Sequence, residues 1–162
     1  MKVISKQRNS RMCYICGMDN PNGLKAQFYN MEDGSVMTKF RYTPEHQSFP
    51  QRVHGGLVST MLDELACRAC WVEDENILGA TMSMEVKFRK PVPYDVDILG
   101  KGIVVNATSR FFTSEVMLTD LDNNVLANAV VKYLKMPAEK IAENIDYHEE
   151  MCYLIEDGIT EL

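Results

Sequence analysis

Two features of the sequence place chemistry at a fixed spacing: the pair Gly55-Gly56 and, eight residues beyond Gly55, the carboxylate of Asp63. Around them Leu57, Val58, Met61, Leu62, Leu65, Ala66, Ala69 and Val72 recur at steps of one, three and four. This pattern predicts a buried helix, opened by the glycines and closed by Glu73-Asp74-Glu75-Asn76. Backbone N–H groups at a helix start lack internal partners and sit at the positive end of the macrodipole, so an oxygen gaining negative charge near Gly55 or Gly56 would be stabilised. The same pair can simply let the loop turn into the helix. Asp63 lies among Leu62, Leu65 and Ala66, where an ionised carboxylate is costly unless it faces a cleft or a partner. It can serve as general base or as nucleophile, or stand as a helix carboxylate paired to Arg68. Glu64 points about 100° away around the helix and is the weaker candidate.

The cysteines offer a competing chemistry. Cys13-x-x-Cys16 and Cys67-x-x-Cys70 superficially form a four-thiolate zinc set. The pairs lie about 50 residues apart, outside zinc-ribbon spacing. The second falls within a packed helix, where Cys67 and Cys70 serve as small core residues. A four-cysteine zinc site is therefore not expected, whereas metal binding or redox sensing by Cys13 with Cys16 stays open. An odd number of cysteines, five, argues against a complete disulfide framework. With no apolar leader after Met1 and no run of about 18 apolar residues, a cytoplasmic chain with reduced thiols is expected.

The elements that must hold these residues follow from periodicity. Leu24 to Tyr29 and Val36 to Tyr42 read as strands around a turn at Glu32-Asp33-Gly34. Thr43 to Val53, with Pro44 and Pro50, reads as an ordered loop into the helix. After the helix the period changes to two: Met82, Met84, Val86 and Phe88 alternate with Ser83, Glu85, Lys87 and Arg89, until Pro91-Val92-Pro93 stops the strand. Ile98 to Val105, Phe111 to Leu121 and Val125 to Leu134 read as three more strands. The last two are joined by Asp122-Asn123-Asn124, a sequence suited to positive φ. One long helix followed by consecutive strands implies an α+β fold, an antiparallel sheet of five to six strands around a central helix, since a parallel sheet needs crossover helices.

Charge is unevenly placed. The 162 residues carry a net −6, but residues 138–162 hold eight acids against Lys140 alone, leaving residues 1–137 near +1. The body can accept an anionic ligand, and with no basic stripe, nucleic-acid binding is not expected. Residues 138–162 form an acidic extension with the composition of an amphipathic helix, offering Ile141, Ile145, Tyr147, Met151 and Leu154 for packing on the same domain or a neighbour.

Several segments together resemble a known family. His54-Gly55-Gly56 through Asp63 resembles the H-G-G-x(6)-D helix start of hotdog-fold acyl-CoA thioesterases of the phenylacetate-pathway type. Upstream, Glu45-His46-Gln47 and Pro50 continue the likeness, as do Cys13-Tyr14-Ile15-Cys16-Gly17 and Asn20-Pro21-Asn22-Gly23-Leu24. Downstream, Phe88-Arg89-Lys90-Pro91-Val92-Pro93 resembles the family's strand ending in a basic residue and a proline. The likeness covers about residues 13–135, so residues 1–137 are expected to form the domain.

The resemblance implies hydrolysis of an acyl-CoA thioester to a carboxylic acid and CoA, with Gly55 in the oxyanion hole and Asp63 as the catalytic carboxylate. No metal or redox cofactor is implied, and CoA belongs to the substrate. Thr81 occupies the place of a helper hydroxyl. Ser48 stands where relatives carry a longer Asn or Gln, a departure that Gln47 or His46 would have to compensate. His54 and Gly56 would contact substrate, and Lys87, Arg89 and Lys90 would meet CoA phosphates or else stand as solvated charges. Along one helix Gly55 and Asp63 are about 12 Å apart. If both act on one thioester, two helices must lie antiparallel across a symmetric interface, in a homodimer or a dimer of dimers. The alternative is a hotdog module that binds or senses acyl-CoA without turnover. A hydratase is disfavoured, because hydratase relatives pair a His with an acid in other contexts.

Overall fold

The computed structural model describes residues 1–137, Lys140 and residues 146–162. Its strands are β1 (Val3–Lys6), β2 (Phe28–Met31), β3 (Val36–Phe40), β4 (Ile77–Phe88), β5 (Ile98–Ala107), β6 (Phe111–Thr119) and β7 (Val125–Pro137). They form one sheet in the order β1-β2-β3-β5-β6-β7-β4, and every neighbouring pair is antiparallel. Helix α1 (Gly55–Arg68) continues as a 3₁₀ turn (Ala69–Val72), giving the single long helical element that the periodicity predicts.

The apolar stripe of α1 does what its spacing requires. Val58, Met61, Leu62, Leu65 and Ala66 are buried against sheet residues such as Ile98, Val116, Leu118, Ala127 and Val131. Each large side chain removed from water contributes about 1.5–3 kcal/mol. Arg68 closes the helix inside this core. It pairs with Glu64 at 2.9 Å, donates to the Arg8 carbonyl at 2.7 Å and stacks on Trp71. The Arg68 partner is therefore Glu64 and not Asp63, because the i,i+4 step places Glu64 on the same helix face.

Three expectations are corrected. The sheet has seven strands rather than five or six. The additional one, β1, is too short and too polar to show alternation, and it pairs with β2 at the sheet edge. The strand expected from Leu24 begins only at Phe28, because Lys25 adopts φ 53°, which breaks an extended run. The acidic extension is not described as a helical appendage: Tyr147–Glu150 form one turn, while Ile141 and Ile145 lie outside the described residues. Beyond that turn the chain runs back along the N-terminal segment, with Tyr153 bridging Asn9 and the Val3 N–H donating to the Thr160 carbonyl at 2.8 Å. Met151 is buried in the core, whereas Leu154 is exposed.

Candidate active site

The start of α1 is built by the preceding loop. A β-bridge between Gln47 and Val53 closes the loop, and the His54 N–H donates to the His46 carbonyl at 2.9 Å. His46 itself is buried. Its Nδ1 accepts from the Thr43 N–H at 2.9 Å and its ring packs on Tyr42, so it fastens the loop and does not line the cleft beside Gly55. The His54 Nδ1 accepts the Gly56 N–H at 2.9 Å, which leaves the ring proton on Nε2. The Gly56 amide is thereby occupied. Among the described residues none accepts the N–H of Gly55, the first residue of the helix.

Beside Gly55 lies a cleft of about 300 Å³ lined by Ser48, Arg52, Gly55, Phe88, Arg89 and Lys90, among others. Arg89 donates to Asn128 at 3.1 Å and Lys90 to Asn124 at 3.0 Å, so both cations are positioned at the rim. Lys87 pairs instead with Glu85 at 3.1 Å, away from that cleft. The Ser48 N–H is tied to the Arg52 carbonyl at 2.9 Å, and the Gln47 amide oxygen accepts weakly from the Tyr94 hydroxyl at 3.4 Å. Arg52 adds a base to this cleft that sequence reasoning passed over.

Two turns along the helix, Asp63 accepts from two hydroxyls. Thr81 Oγ1 lies 3.0 Å from Oδ1 and 3.3 Å from Oδ2, and the Tyr133 hydroxyl lies 2.9 Å from Oδ1 and 2.7 Å from the Asp63 carbonyl. Thr81 and Tyr133 are direct cross-strand partners of β4 and β7, so both side chains leave the same sheet face toward the helix. Just beyond, a bulge between Thr81 and Ser83 gives β4 one extra residue, Met82. Burial, reinforced by Asp63, pushes the Tyr133 phenol well above its ordinary value, so it stays a neutral donor at physiological pH. Tyr133 stacks on Phe112 at 4.7 Å, and this stack closes over Gly79, where a Cβ would fall 2.8 Å from either ring.

Gly55 and Asp63 thus face separate places on one chain, as their spacing requires. Gly56 and Thr60 are exposed and Asp63 is half-buried, marking one uncovered stripe of α1. Next to it runs β4, which among the described residues pairs only with β7, with Met82 and Phe88 exposed.

Residues 51–127 match the thioesterase superfamily model. A solved thioesterase superfamily protein is 21% identical, with a TM-score of 0.71 over 76% of this chain and 63% of that one, so the chain spans under two thirds of that protein. A phenylacetic acid degradation-related protein from Ralstonia eutropha is 16% identical, with a TM-score of 0.62 over 68% of this chain and 85% of its own. A Streptococcus mutans protein solved bound to acetyl CoA is 15% identical, with a TM-score of 0.62 over 69% and 89%. The fold is of the thioesterase hotdog type. No curated protein matches the sequence. In this hotdog chain the superfamily match begins just before the cleft loop closes and takes in Gly55, Asp63 and Thr81. It ends before Tyr133. Among the described residues no helix is long and apolar enough to cross a membrane.

Proposed function

We propose that the chain hydrolyses an acyl-CoA thioester to a free carboxylic acid and CoA. The observation that carries this reading is the division of labour along α1: a free amide at Gly55 beside a basic cleft, and a carboxylate at Asp63 oriented by two hydroxyls. The thioester carbonyl lies against the Gly55 N–H. Asp63 takes a proton from water, whose oxygen attacks the carbonyl carbon, and the oxyanion accepts from Gly55. When the carbonyl reforms, the C–S bond breaks and CoA leaves as the thiolate. Arg89 and Lys90 offer charge to its phosphates, while the neutral Tyr133 and Thr81 hold Asp63 in place. No metal or redox cofactor takes part in this step.

The uncovered stripe of α1 and the outer edge of β4, where Met82 and Phe88 are exposed, support a site completed by a second copy. An exposed edge strand of twelve residues is a template for pairing. Antiparallel helices would then bring Gly55 of one subunit to Asp63 of the other. A homodimer or a dimer of such dimers, in the cytoplasm where thiols stay reduced, is the assembly this mechanism uses.

The test is thiol release from short, long and aromatic acyl-CoAs by the wild type and by Asp63→Ala. Hydrolysis falling by about 10²–10⁴-fold in the variant, with the assembly intact, supports the mechanism. Wild-type protein that binds acyl-CoA without releasing thiol would instead establish a non-catalytic binding module.

A further inference from the structure

The geometry points to a divalent metal site of the zinc class formed by Cys13, Cys16 and Glu64, outside the acyl-CoA site. One ligand atom from each of these residues lies within 4.8 Å of the others. The Cys13 sulfur is 3.8 Å from Glu64 Oε2. A tetrahedral zinc ion, with metal–sulfur near 2.3 Å and metal–oxygen near 2.1 Å, sets such a pair about 3.6 Å apart. The Cys13–Glu64 pair already stands close to binding distance.

The surrounding backbone and side chains hold the ligand atoms in place. The Ile15 and Cys16 N–H groups lie 3.3 and 3.5 Å from the Cys13 sulfur, so two amide dipoles converge on one atom. The Gly17 N–H closes the turn onto the Cys13 carbonyl at 2.8 Å, and a Cβ at Gly17 would meet that oxygen at 2.3 Å. Only glycine permits this tight turn to follow Cys16. Glu64 is pre-set as well: Arg68 holds Oε1 at 2.9 Å and is itself fixed by the Arg8 carbonyl, leaving Oε2 to turn toward the sulfur.

Charge and access agree with an ion at this point. Binding expels the two thiol protons, so a divalent ion, two thiolates, one carboxylate and the Arg68 guanidinium sum to zero. The cluster opens on a cavity of about 300 Å³ lined also by Ser10, Tyr147 and Glu150, from which water can fill the fourth position. Cys67 borders the same cavity, but its thiol lies toward the Gly79 carbonyl at 3.9 Å and supplies no ligand. The ion would clip the N-terminal turn to α1 on the Glu64 face, about 100° around the helix from Asp63.

The full chain, reduced and stripped with a chelator, is titrated with Zn²⁺ by calorimetry and with Co²⁺ by absorption. One equivalent per chain with a thiolate-to-cobalt charge-transfer band is expected. That signal should vanish in Cys13→Ser and Cys16→Ser, weaken about tenfold or more in Glu64→Gln, and persist in Cys70→Ser. On the unsubstituted chain, zinc should shield Cys13 and Cys16 from iodoacetamide while the exposed Cys152 reacts at an unchanged rate. Absence of stoichiometric binding to the reduced wild type, binding that survives both serine variants, or unshielded Cys13 and Cys16 would overturn the assignment. Acyl-CoA hydrolysis is scored separately, so loss of the metal site and loss of the thioesterase reading give different results.

Discussion

Asp63 has two hydroxyl donors, and their removal separates orientation from chemistry. Tyr133→Phe keeps the stack on Phe112 and deletes only the phenol, so stability should fall by about 1 kcal/mol. On the proposed mechanism kcat should drop about tenfold with little change in KM, since the phenol acts through Asp63 rather than on substrate. Steady-state kinetics and a melting curve check both; wild-type kcat would show that Tyr133 is merely structural. Gly79→Ala should prove more costly, about 1–3 kcal/mol, because the new methyl must displace Tyr133 or Phe112. Asp63 stands out in the sequence as a carboxylate on an apolar helix, and Thr81 through the family resemblance. Tyr133 does not, because its approach to Asp63 depends on pairing Thr81 with a residue 52 positions away. Its one local signal is a hydroxyl closing the alternation Ala127, Ala129, Val131.

At the level of elements, α1 and the strands from β4 to β7 are legible because each carries a long run of one period, which in β4 starts at the Met82 bulge. The β6–β7 turn behaves as its asparagines suggest, with Asn123 at φ 63°. β1 and the extended C-terminal run are not legible, because they are short and are defined by each other. Asp157 helps anchor that run through Lys6 and Tyr29. Burial alone would raise its carboxyl, but those partners hold it below the ordinary value. A depressed acid contributes stability above its unfolded pKa and loses it as pH falls through the folded one. Protection of the Ile159 and Leu162 amides, normalised to intrinsic exchange rates, should therefore decline as pH falls through and below the ordinary carboxylate range. In Asp157→Asn it should already be weakened at neutral pH. Equal protection across that range would show that Asp157 does not secure the segment.

For the whole molecule, neither the order of strands nor the exposed edge of β4 could be read locally, since both depend on which segments meet after the chain doubles back. The 12 Å spacing of Gly55 and Asp63 can be read, and it leads directly to a shared site. Gly55→Val obstructs the oxyanion position and Asp63→Asn removes the base, so each variant alone should be nearly inactive. When the two are co-expressed, each mixed dimer contains one site with both residues intact. About a quarter of all sites should then be functional if the chains assort at random. The decisive measurement is thiol release by this co-expressed mixture against each variant alone. Recovery of about a quarter of wild-type activity is predicted, and a mixture no more active than its parts would contradict a site built from two subunits.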